Sequence, residues 1–227
     1  MKRISPRLKE AAALLRKVDT VADIGTDHAY LPIYLIEHDI CRKVIASDLR
    51  KGPLENARLN VEASGFADHI ELRLSDGLKE YRADEVQDVV IAGMGGILIT
   101  EILENAHWVK DSQKHLVLQP MSHAEYLRAY LVANRFRILK ESVCEDTGKL
   151  YCLMSCVYSG EETKFDDYYE YYGELPNSCD SLACVYLQKL SERCIREATA
   201  IGCTDPERTE RLYKVADKLD NILSQRK

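Results

Sequence analysis

The chain has 227 residues, of which 46% are hydrophobic and 30% are charged, and its formal net charge is −6 at pH 7. This balance excludes a disordered or collagen-like chain, and the acidic total argues against a protein whose whole surface binds nucleic acid. The longest uncharged apolar stretch, 89–99, is shorter than the roughly 18 residues that a membrane-spanning helix needs. The basic N-terminus leads into a mixed helical pattern rather than an apolar signal core, so we expect a cytoplasmic protein with no membrane partner.

The first two-thirds of the chain alternate short β-branched runs with longer amphipathic stretches. The runs that predict strands are 20–25, 43–48, 70–75, 88–92 and 115–119. The stretches that predict helices between them are 29–38, 52–65 and 97–106. This alternation is typical of right-handed βαβ units, so we predict an α/β domain with a parallel sheet covered on both faces.

Two further strands are predicted after a helix at 124–134. They span 137–143 and 149–158, and only the short link 144–148 joins them. Because so short a link cannot hold a crossover helix, the two strands must form an antiparallel hairpin. The sequence therefore predicts a parallel sheet closed by an antiparallel hairpin.

The character of the chain changes at about residue 160, where an acidic, tyrosine-rich stretch begins. Beyond it, apolar residues recur at steps of three and four in two segments that are separated by a break at 202–206. Two helices with narrow apolar stripes and a short turn indicate a helical hairpin of coiled-coil type. We therefore predict two domains, 1–160 and 161–227; the stripes could close on each other or on a second subunit, and we favour the monomer.

Eight cysteines raise the alternatives of disulfides and a metal site. The chain has no Cys-x-x-Cys pair and no paired His-x3-His motif, which structural zinc sites normally use. We expect free, structural thiols in a reducing compartment and no bound metal.

Four successive predicted strands end in residues suited to ligand binding. Gly25 follows the first, Asp48 ends the second and lies 23 residues after Gly25, Asp76 and Gly77 follow the third, and a glycine-rich run at 92–96 ends the fourth. Ligands of open α/β sheets bind at the carboxyl ends of strands, and a carboxylate roughly 20 residues after the first glycine is typical of ribose binding. These strand ends together predict a nucleoside-binding site.

The first loop departs from the Gly-x-Gly-x-x-Gly pattern of nicotinamide enzymes. Asp27 and His28 follow Gly25, and Asp27 would repel a pyrophosphate at the start of the next helix. A ligand without phosphates fits better, and S-adenosylmethionine, a sulfonium cation with a ribose and an adenine, has this chemistry.

The same segments resemble the bacterial tRNA (adenine(22)-N1)-methyltransferase family. The resemblance rests on VADIGTDHAYLP at 21–32, ASD at 46–48, SDGL at 75–78, AGMGG at 92–96 and LQPM at 118–121. It covers nearly the whole chain and implies a class I, Rossmann-like methyltransferase fold with a C-terminal coiled-coil domain, S-adenosylmethionine as methyl donor and tRNA as partner. The usual second and third glycines of the first motif are replaced here by Asp27 and Ala29.

The resemblance also implies roles for single residues. The cofactor-binding residues would be Asp23, Gly25, Thr26, Asp27 and His28 at the methionine part, Asp48 and Leu49 at the ribose, Asp76 and Gly77 at the adenine, and Gly93. The candidates for catalysis are Asp27, Tyr30, Gly93, Met94 and Gly95, with Gly93 to Gly96 forming the mouth for the target adenine. For Asp27, a helix cap or a contact with the cofactor ammonium group is an alternative role.

Two other functions remain open at this stage. One is a methyltransferase of a small molecule, with the helical hairpin as a lid or a dimerisation arm; the other is a non-catalytic α/β scaffold. Phosphate contacts of tRNA would come from the basic N-terminus and from other cations, which are Arg42, Lys43, Arg50, Lys51, Lys189, Arg193, Arg196, Arg208, Arg211, Lys214 and Lys218. Many of the C-terminal cations alternate with acidic residues, so that surface could instead be covered with salt bridges.

Overall fold

The computed structural model describes residues 4–178 and 180–226, which form one seven-stranded sheet, eight α-helices and short 3₁₀ turns. The elements in chain order are α1 (Pro6–Leu14), β1 (Val18–Ile24), α2 (Tyr30–Glu37), β2 (Cys41–Asp48), α3 (Lys51–Ser64), β3 (Ile70–Leu74), β4 (Asp88–Met94), α4 (Gly96–Glu104), β5 (His115–Pro120), α5 (Ala124–Ala133), β6 (Phe136–Asp146), β7 (Lys149–Tyr158), α6 (Tyr169–Tyr172), α7 (Ser181–Ile201) and α8 (Pro206–Ser224). Lys2 and Arg3 of the basic N-terminus, and Cys179, lie outside the described residues.

The strand order in the sheet is β3-β2-β1-β4-β5-β7-β6. The first five strands pair in parallel, and β7 is antiparallel to both β5 and β6. The predicted α/β fold with a closing antiparallel hairpin is confirmed. The chain order reverses between β1 and β4, which is the position where doubly wound sheets bind their ligands.

Both faces of the sheet are covered. One face packs against α1, α2 and α3, and the other packs against α4 and α5. In β4 the consecutive residues Val89, Val90 and Ile91 are fully buried, because their side chains alternate between the two cores. This burial holds the carboxyl ends of the central strands in fixed positions.

The C-terminal helices α7 and α8 form the predicted helical hairpin. Their apolar stripes pack on each other and on Val143 and Cys152 of the strand hairpin. Hydrogen bonds between the two helices show that they run antiparallel. Arg208 donates to Glu197 near the turn, and Ser191 donates to Asp220 farther from it. The coiled-coil geometry of this hairpin and the domain boundary at 160/161 stay predictions.

Most element bounds differ from the predicted ones by one or two residues, and two differences have a clear physical reason. The helix α2 begins at Tyr30 rather than at residue 29, because Ala29 has a left-handed backbone (φ 56°) and precedes the helix. The strand β6 extends from Phe136 to Asp146, beyond the predicted 137–143, because its two ends pair with the two ends of β7.

Within the described residues, no helix is long and apolar enough to cross a membrane.

Candidate active site

A cavity of about 670 Å³ opens at the carboxyl ends of β1, β2 and β4 and at the loop after β3. It lies at the reversal point of the strand order. The ten residues predicted to bind the cofactor all border it; they are Asp23, Gly25, Thr26, Asp27, His28, Asp48, Leu49, Asp76, Gly77 and Gly93. The topology therefore brings together strand ends that are more than 60 residues apart in sequence.

The loop after β1 is tied to the neighbouring strand by its backbone. The amide groups of Gly25 and Thr26 both donate to the carbonyl of Ser47, at 2.8 Å. Gly25 has φ +79°, and a Cβ at this position would meet the end of the Met94 side chain. Glycine is favoured here because the backbone is left-handed, and the missing side chain leaves room for the end of Met94.

Asp23 is the most deeply placed acid of the cavity, with only 4% of its surface exposed. Burial raises its pKa to about 6, and the nearby Asp48 carboxylate acts in the same direction. In the same loop, the Thr26 side chain faces Asp23 and lowers the pKa of its carboxyl, while its buried hydroxyl makes no well-formed hydrogen bond among the described residues. Two buried polar groups that need partners indicate a polar ligand, and an ammonium group would satisfy Asp23.

Asp48 and Leu49 form the second wall. The backbone amide of Arg50 donates to Oδ1 of Asp48 at 2.9 Å, which orients the carboxylate. Leu49 is 63% exposed although it is apolar, and Leu98 on α4 is also exposed at the cavity. This combination of an oriented carboxylate with uncovered apolar side chains suits a ribose and a flat base.

The loop after β3 supplies the third wall. The Ser75 hydroxyl donates to the carbonyl of Gly77 at 2.8 Å, and Gly77 has a left-handed backbone. A Cβ on Gly77 would press against Ile102 of α4. Asp76 is exposed and forms an ion pair with Lys79. These residues fit the chemistry of S-adenosylmethionine, because Asp23 could pair with its ammonium group, Asp48 could accept from ribose hydroxyls, and the glycine backbone leaves room for a base. Which residue contacts which part of the cofactor stays a prediction.

A buried amide connects the end of β4 to the N-terminal helix. Oε1 of Gln119 accepts from the Gly93 amide and from Nη1 of Arg7, both at 3.0 Å. Arg7 thus lies on Gly93 and borders the cavity. In the sequence, Arg7 is recognisable only as part of a basic N-terminus, and Gln119 had no predicted role, although it lies in the LQPM segment that carries part of the resemblance.

Unlike the cofactor-binding candidates, the five catalytic candidates do not all line the cavity. Asp27, Tyr30, Gly93 and Met94 border the cavity. Gly95 is not among the lining residues, and a Cβ on it would lie 3.2 Å from the Ser122 hydroxyl. A Cβ on Gly96 would press against the backbone of His123, so the end of the glycine run allows α4 to pack closely on the loop before α5.

The side chain of Asp27 is 60% exposed, and its Oδ2 is 3.6 Å from Nε2 of His28. It does not cap α2, because Ala29 is the N-cap and no side chain bonds there. The His28 and Tyr30 rings stack with centroids 5.3 Å apart. This side of the cavity therefore carries an exposed carboxylate beside a stacked pair of rings. Within the described residues, no cluster of acidic, histidine or cysteine side chains could hold a metal ion.

Comparison with known proteins agrees with this geometry. A methyltransferase-domain family model matches residues 4–154. The tRNA (adenine(22)-N(1))-methyltransferase of Bacillus subtilis is 30% identical over 96% of this chain and 94% of its own length.

Two solved structures resemble the whole chain. A Streptococcus pneumoniae protein described as a putative tRNA (m1A22) methyltransferase, in complex with S-adenosyl-L-methionine, has a TM-score of 0.82 and 32% identity, with 97% of this chain and 100% of that chain covered. M. capricolum TrmK, in complex with the cofactor product S-adenosyl-homocysteine, has a TM-score of 0.81 and 28% identity, with 96% and 99% covered. With its sheet, its cavity and its full-length relatives in agreement, this chain belongs to the bacterial tRNA (adenine(22)-N1)-methyltransferase family and is an S-adenosylmethionine-dependent enzyme.

Proposed function

We propose that this protein transfers a methyl group from S-adenosylmethionine to N1 of adenine 22 in tRNA, in the cavity at the end of β1. The observation that carries the proposal is that all ten residues expected to bind the cofactor border one cavity, together with four of the five candidates for catalysis, Asp27, Tyr30, Gly93 and Met94. The relative from Bacillus subtilis, which is named for this reaction, aligns over nearly the full length of both chains.

The reaction needs positioning more than a strong base. When bound, the cofactor supplies an electrophilic methyl group: the adenine N1 lone pair forms the new C–N bond while the S–C bond breaks, its electron pair stays on sulfur, and the positive charge passes to the purine ring. Asp23 would hold the methionine part and Asp48 the ribose part, and both residues border the cavity with Gly25. Met94 lies across Gly25 and would limit the space between cofactor and target base.

Asp27 has two candidate roles. A carboxylate near N6 would stabilise the positive charge that develops on the methylated ring. The same carboxylate could instead bind the cofactor ammonium group. The substitution Asp27→Asn separates the two roles, because the first predicts a lower kcat with unchanged cofactor affinity, and the second predicts weaker cofactor binding. Isothermal calorimetry with S-adenosylhomocysteine and single-turnover methylation measure the two quantities.

The target base must leave its stack before it reacts. N1 lies on the Watson–Crick edge, and extruding a base costs on the order of a few kcal/mol. The Tyr30 ring, which is stacked with His28 at the mouth, would give the extruded adenine a surface to stack on. Contacts with the rest of the tRNA must offset the remaining cost.

The two other functions considered above make different predictions. A small-molecule methyltransferase would bind the cofactor and leave tRNA unmodified. A non-catalytic scaffold would tolerate loss of Asp48 and Asp76 without any loss of activity. The tRNA methyltransferase function is better supported than either alternative, because relatives named for it match over nearly the whole chain.

The test is transfer of labelled methyl from S-adenosylmethionine to unmodified bacterial tRNA, followed by nucleoside analysis. We expect 1-methyladenosine, and we expect none with a tRNA in which guanine replaces adenine 22. Cofactor binding by calorimetry without methyl transfer to any tRNA would overturn the proposal in favour of a small-molecule substrate. We further propose that the protein acts as a monomer in the cytoplasm. Light scattering of the purified protein tests the oligomeric state, and cell fractionation tests the location.

A further inference from the structure

A second cavity of about 1060 Å³ lies beside the cofactor cavity, over the outer face of α2. We call it the α2 groove. Its floor is one face of α2, where the lining residues follow one another at alternating steps of three and one. One wall is formed by Ile4 and by Lys9 of α1, and the other by one face of α3. The floor residues are Tyr30, Ile33, Tyr34, Glu37 and His38; the wall residues are Ile4, Lys9, Asn56, Leu59, Asn60 and Ala63.

The floor of the α2 groove is unusually apolar for the outer face of a surface helix. The inner face of α2 already supplies buried residues such as Leu31 and Leu35 to the core. The outer face of a surface helix is usually charged or polar, but here it presents two tyrosines. Leu59 on the opposite wall is also exposed, at 53%. Ile33 belongs to the core and Tyr34 packs partly against it, so the surface left uncovered is the outer side of the Tyr30 and Tyr34 rings together with Leu59.

The rings on the floor are held in place. Tyr34 and His38 stack with centroids 3.9 Å apart and an interplanar angle of 26°. Nδ1 of His38 lies 3.0 Å from the backbone carbonyl of Tyr34, which fixes the imidazole on the helix. A pair of fixed rings is a surface on which a planar group can stack with little loss of side-chain entropy.

The α2 groove adjoins the cofactor cavity, because His28 and Tyr30 border both. Asn60 joins the two regions, since its amide donates to the His28 carbonyl at 2.9 Å. Lys9 at the rim supplies a cation and Asn56 supplies an amide edge. Glu37 adds one exposed carboxylate at the far end of the groove. Two stacked aromatic pairs, with a cation and amides beside them, are the chemistry of a single-stranded nucleic acid site.

We propose that the α2 groove binds the tRNA nucleotides that adjoin the target adenine, with one base stacked on the Tyr34–His38 pair. The inference rests on the proposed function and extends it to a specific RNA contact. When the target base turns into the cavity at Tyr30, its neighbours lose a stacking partner. The α2 groove begins at that point and offers them a new one.

The test compares tRNA binding by the wild type with that of His38→Ala, Tyr34→Ala and Tyr34→Phe. Stacking of one base on an aromatic side chain corresponds to a loss of about 10- to 100-fold in affinity when the ring is removed. We expect this loss for the two alanine variants and near wild-type affinity for Tyr34→Phe, which keeps the ring. The affinity for S-adenosylhomocysteine should stay unchanged in all three.

Matched controls lie on the other side of the molecule. Tyr126 is 51% exposed on α5, which packs on the opposite face of the sheet, and His107 is exposed in the 3₁₀ turn after α4. We expect Tyr126→Ala and His107→Ala to bind tRNA as the wild type does. Equal losses in the control and the groove variants would overturn the proposal, because the effect would then not belong to the α2 groove.

Binding is measured at equilibrium, so that the result does not depend on turnover. Wild-type affinity in both alanine variants overturns the proposal even if the protein methylates tRNA normally. If those variants also lose self-association in light scattering, the α2 groove is an interface between two copies instead. Wild-type protein that binds tRNA without methylating it contradicts the proposed function alone, whereas wild-type protein that does not bind tRNA contradicts both.

Discussion

Asp23 and Asp48 end two neighbouring strands, but their surroundings give them different properties. Asp48 accepts a hydrogen bond from the Arg50 amide, and this bond sets the direction of its carboxylate. Asp23 is buried more deeply, and burial raises its pKa to about 6. The first residue is therefore suited to directional binding of hydroxyls, and the second to neutralising a cation.

Replacing Asp48 should weaken cofactor binding without unfolding the protein. A hydrogen bond to a charged group contributes about 1.5–3 kcal/mol, so Asp48→Ala should raise the Kd for S-adenosylhomocysteine about 10- to 100-fold. Isothermal calorimetry measures this change. The variant Asp111→Ala, at an exposed turn outside the cavity, serves as the control and should bind as the wild type does. An unchanged Kd in Asp48→Ala would show that the carboxylate does not contact the ligand.

Asp23 should reduce the stability of the unliganded protein at neutral pH. Its pKa is about 6 in the folded protein, whereas an exposed aspartate has a pKa of 3.8, so the folded state binds this proton more tightly than the unfolded state does. Stability therefore falls as pH rises from about 4 to about 6, and the loss persists above that range. Asp23→Asn should be more stable than the wild type at pH 7–8, by up to about 3 kcal/mol.

Urea unfolding between pH 4 and pH 8 measures this difference. The advantage of Asp23→Asn should shrink as pH falls through 6 and become small near pH 4, because the wild-type carboxyl is then protonated in the folded state and partly protonated in the unfolded state. Equal stability of the two proteins at pH 7.5 would contradict the prediction. Saturating cofactor should reverse the order, because the proposed contact with the cofactor ammonium group uses the charge of Asp23.

Single residues differ in how far the sequence could predict them. Asp23, Asp48 and Asp76 were predictable, because strand ends in a parallel sheet meet at one edge. The place of Arg7 at the cavity was not predictable, because it depends on a hydrogen bond to Gln119, 112 positions away. The residues next to Arg7 in sequence indicate only a basic helix. The contact exists because α1 packs on the sheet beside β5, and this depends on tertiary structure.

At the scale of elements, a buried ion pair joins the sheet to the segment that precedes α7. Arg128 on α5 and Glu141 on β6 are both 1% exposed, and Nε of Arg128 lies 2.8 Å from Oε1 of Glu141. Nη1 of Arg128 also donates to the carbonyls of Glu170 and Tyr171, each at 3.0 Å. The network therefore holds the tyrosine-rich segment against the strand hairpin.

Breaking this ion pair should strongly destabilise the protein. Glu141→Gln leaves the Arg128 charge buried without its partner, which typically costs about 3–5 kcal/mol. Glu145→Gln, at an exposed position on the same strand, is the matched control and should cost almost nothing. Urea denaturation of both variants measures the difference. A loss below about 1 kcal/mol for Glu141→Gln would mean that water enters the site and replaces the carboxylate.

The strand hairpin shows what pattern alone can and cannot predict about elements. The short link 144–148 correctly predicted antiparallel pairing. The insertion of β7 between β5 and β6 was not predicted, although β7 carries a continuous buried run (Cys152–Cys156), which is typical of a central strand, whereas β6 alternates buried and exposed residues at its start. The Arg128–Glu141 pair had no sequence signal, because each residue looks like a surface charge.

At the scale of the whole molecule, the cations proposed as tRNA contacts differ in whether they already pair with a carboxylate. In the first domain, Arg42, Lys43 and Arg50 each lie within 4.0 Å of one. Six of the C-terminal cations proposed as tRNA contacts each lie within 4 Å of a carboxylate; they are Arg193, Arg196, Arg208, Arg211, Lys214 and Lys218. In contrast, Lys51 is exposed at the start of α3, beside the cavity, and forms no ion pair within the described parts of the chain. A cation without a carboxylate partner is free to replace the counterions of a phosphate.

The salt dependence of tRNA binding should therefore separate Lys51 from Lys214. A phosphate contact contributes about one unit to the slope of log K against log salt concentration, so Lys51→Ala should weaken binding and reduce that slope by about 1. Lys214→Ala should leave both unchanged, because Lys214 already pairs with Glu210 at 2.7 Å and an RNA phosphate would have to displace that carboxylate. Equilibrium binding of tRNA from 50 to 300 mM salt, roughly the range over which phosphate contacts dominate, measures both slopes. If Lys214→Ala reduced the slope and Lys51→Ala did not, the phosphate contacts would lie on the helical hairpin, and its ion pairs would have to open when tRNA binds.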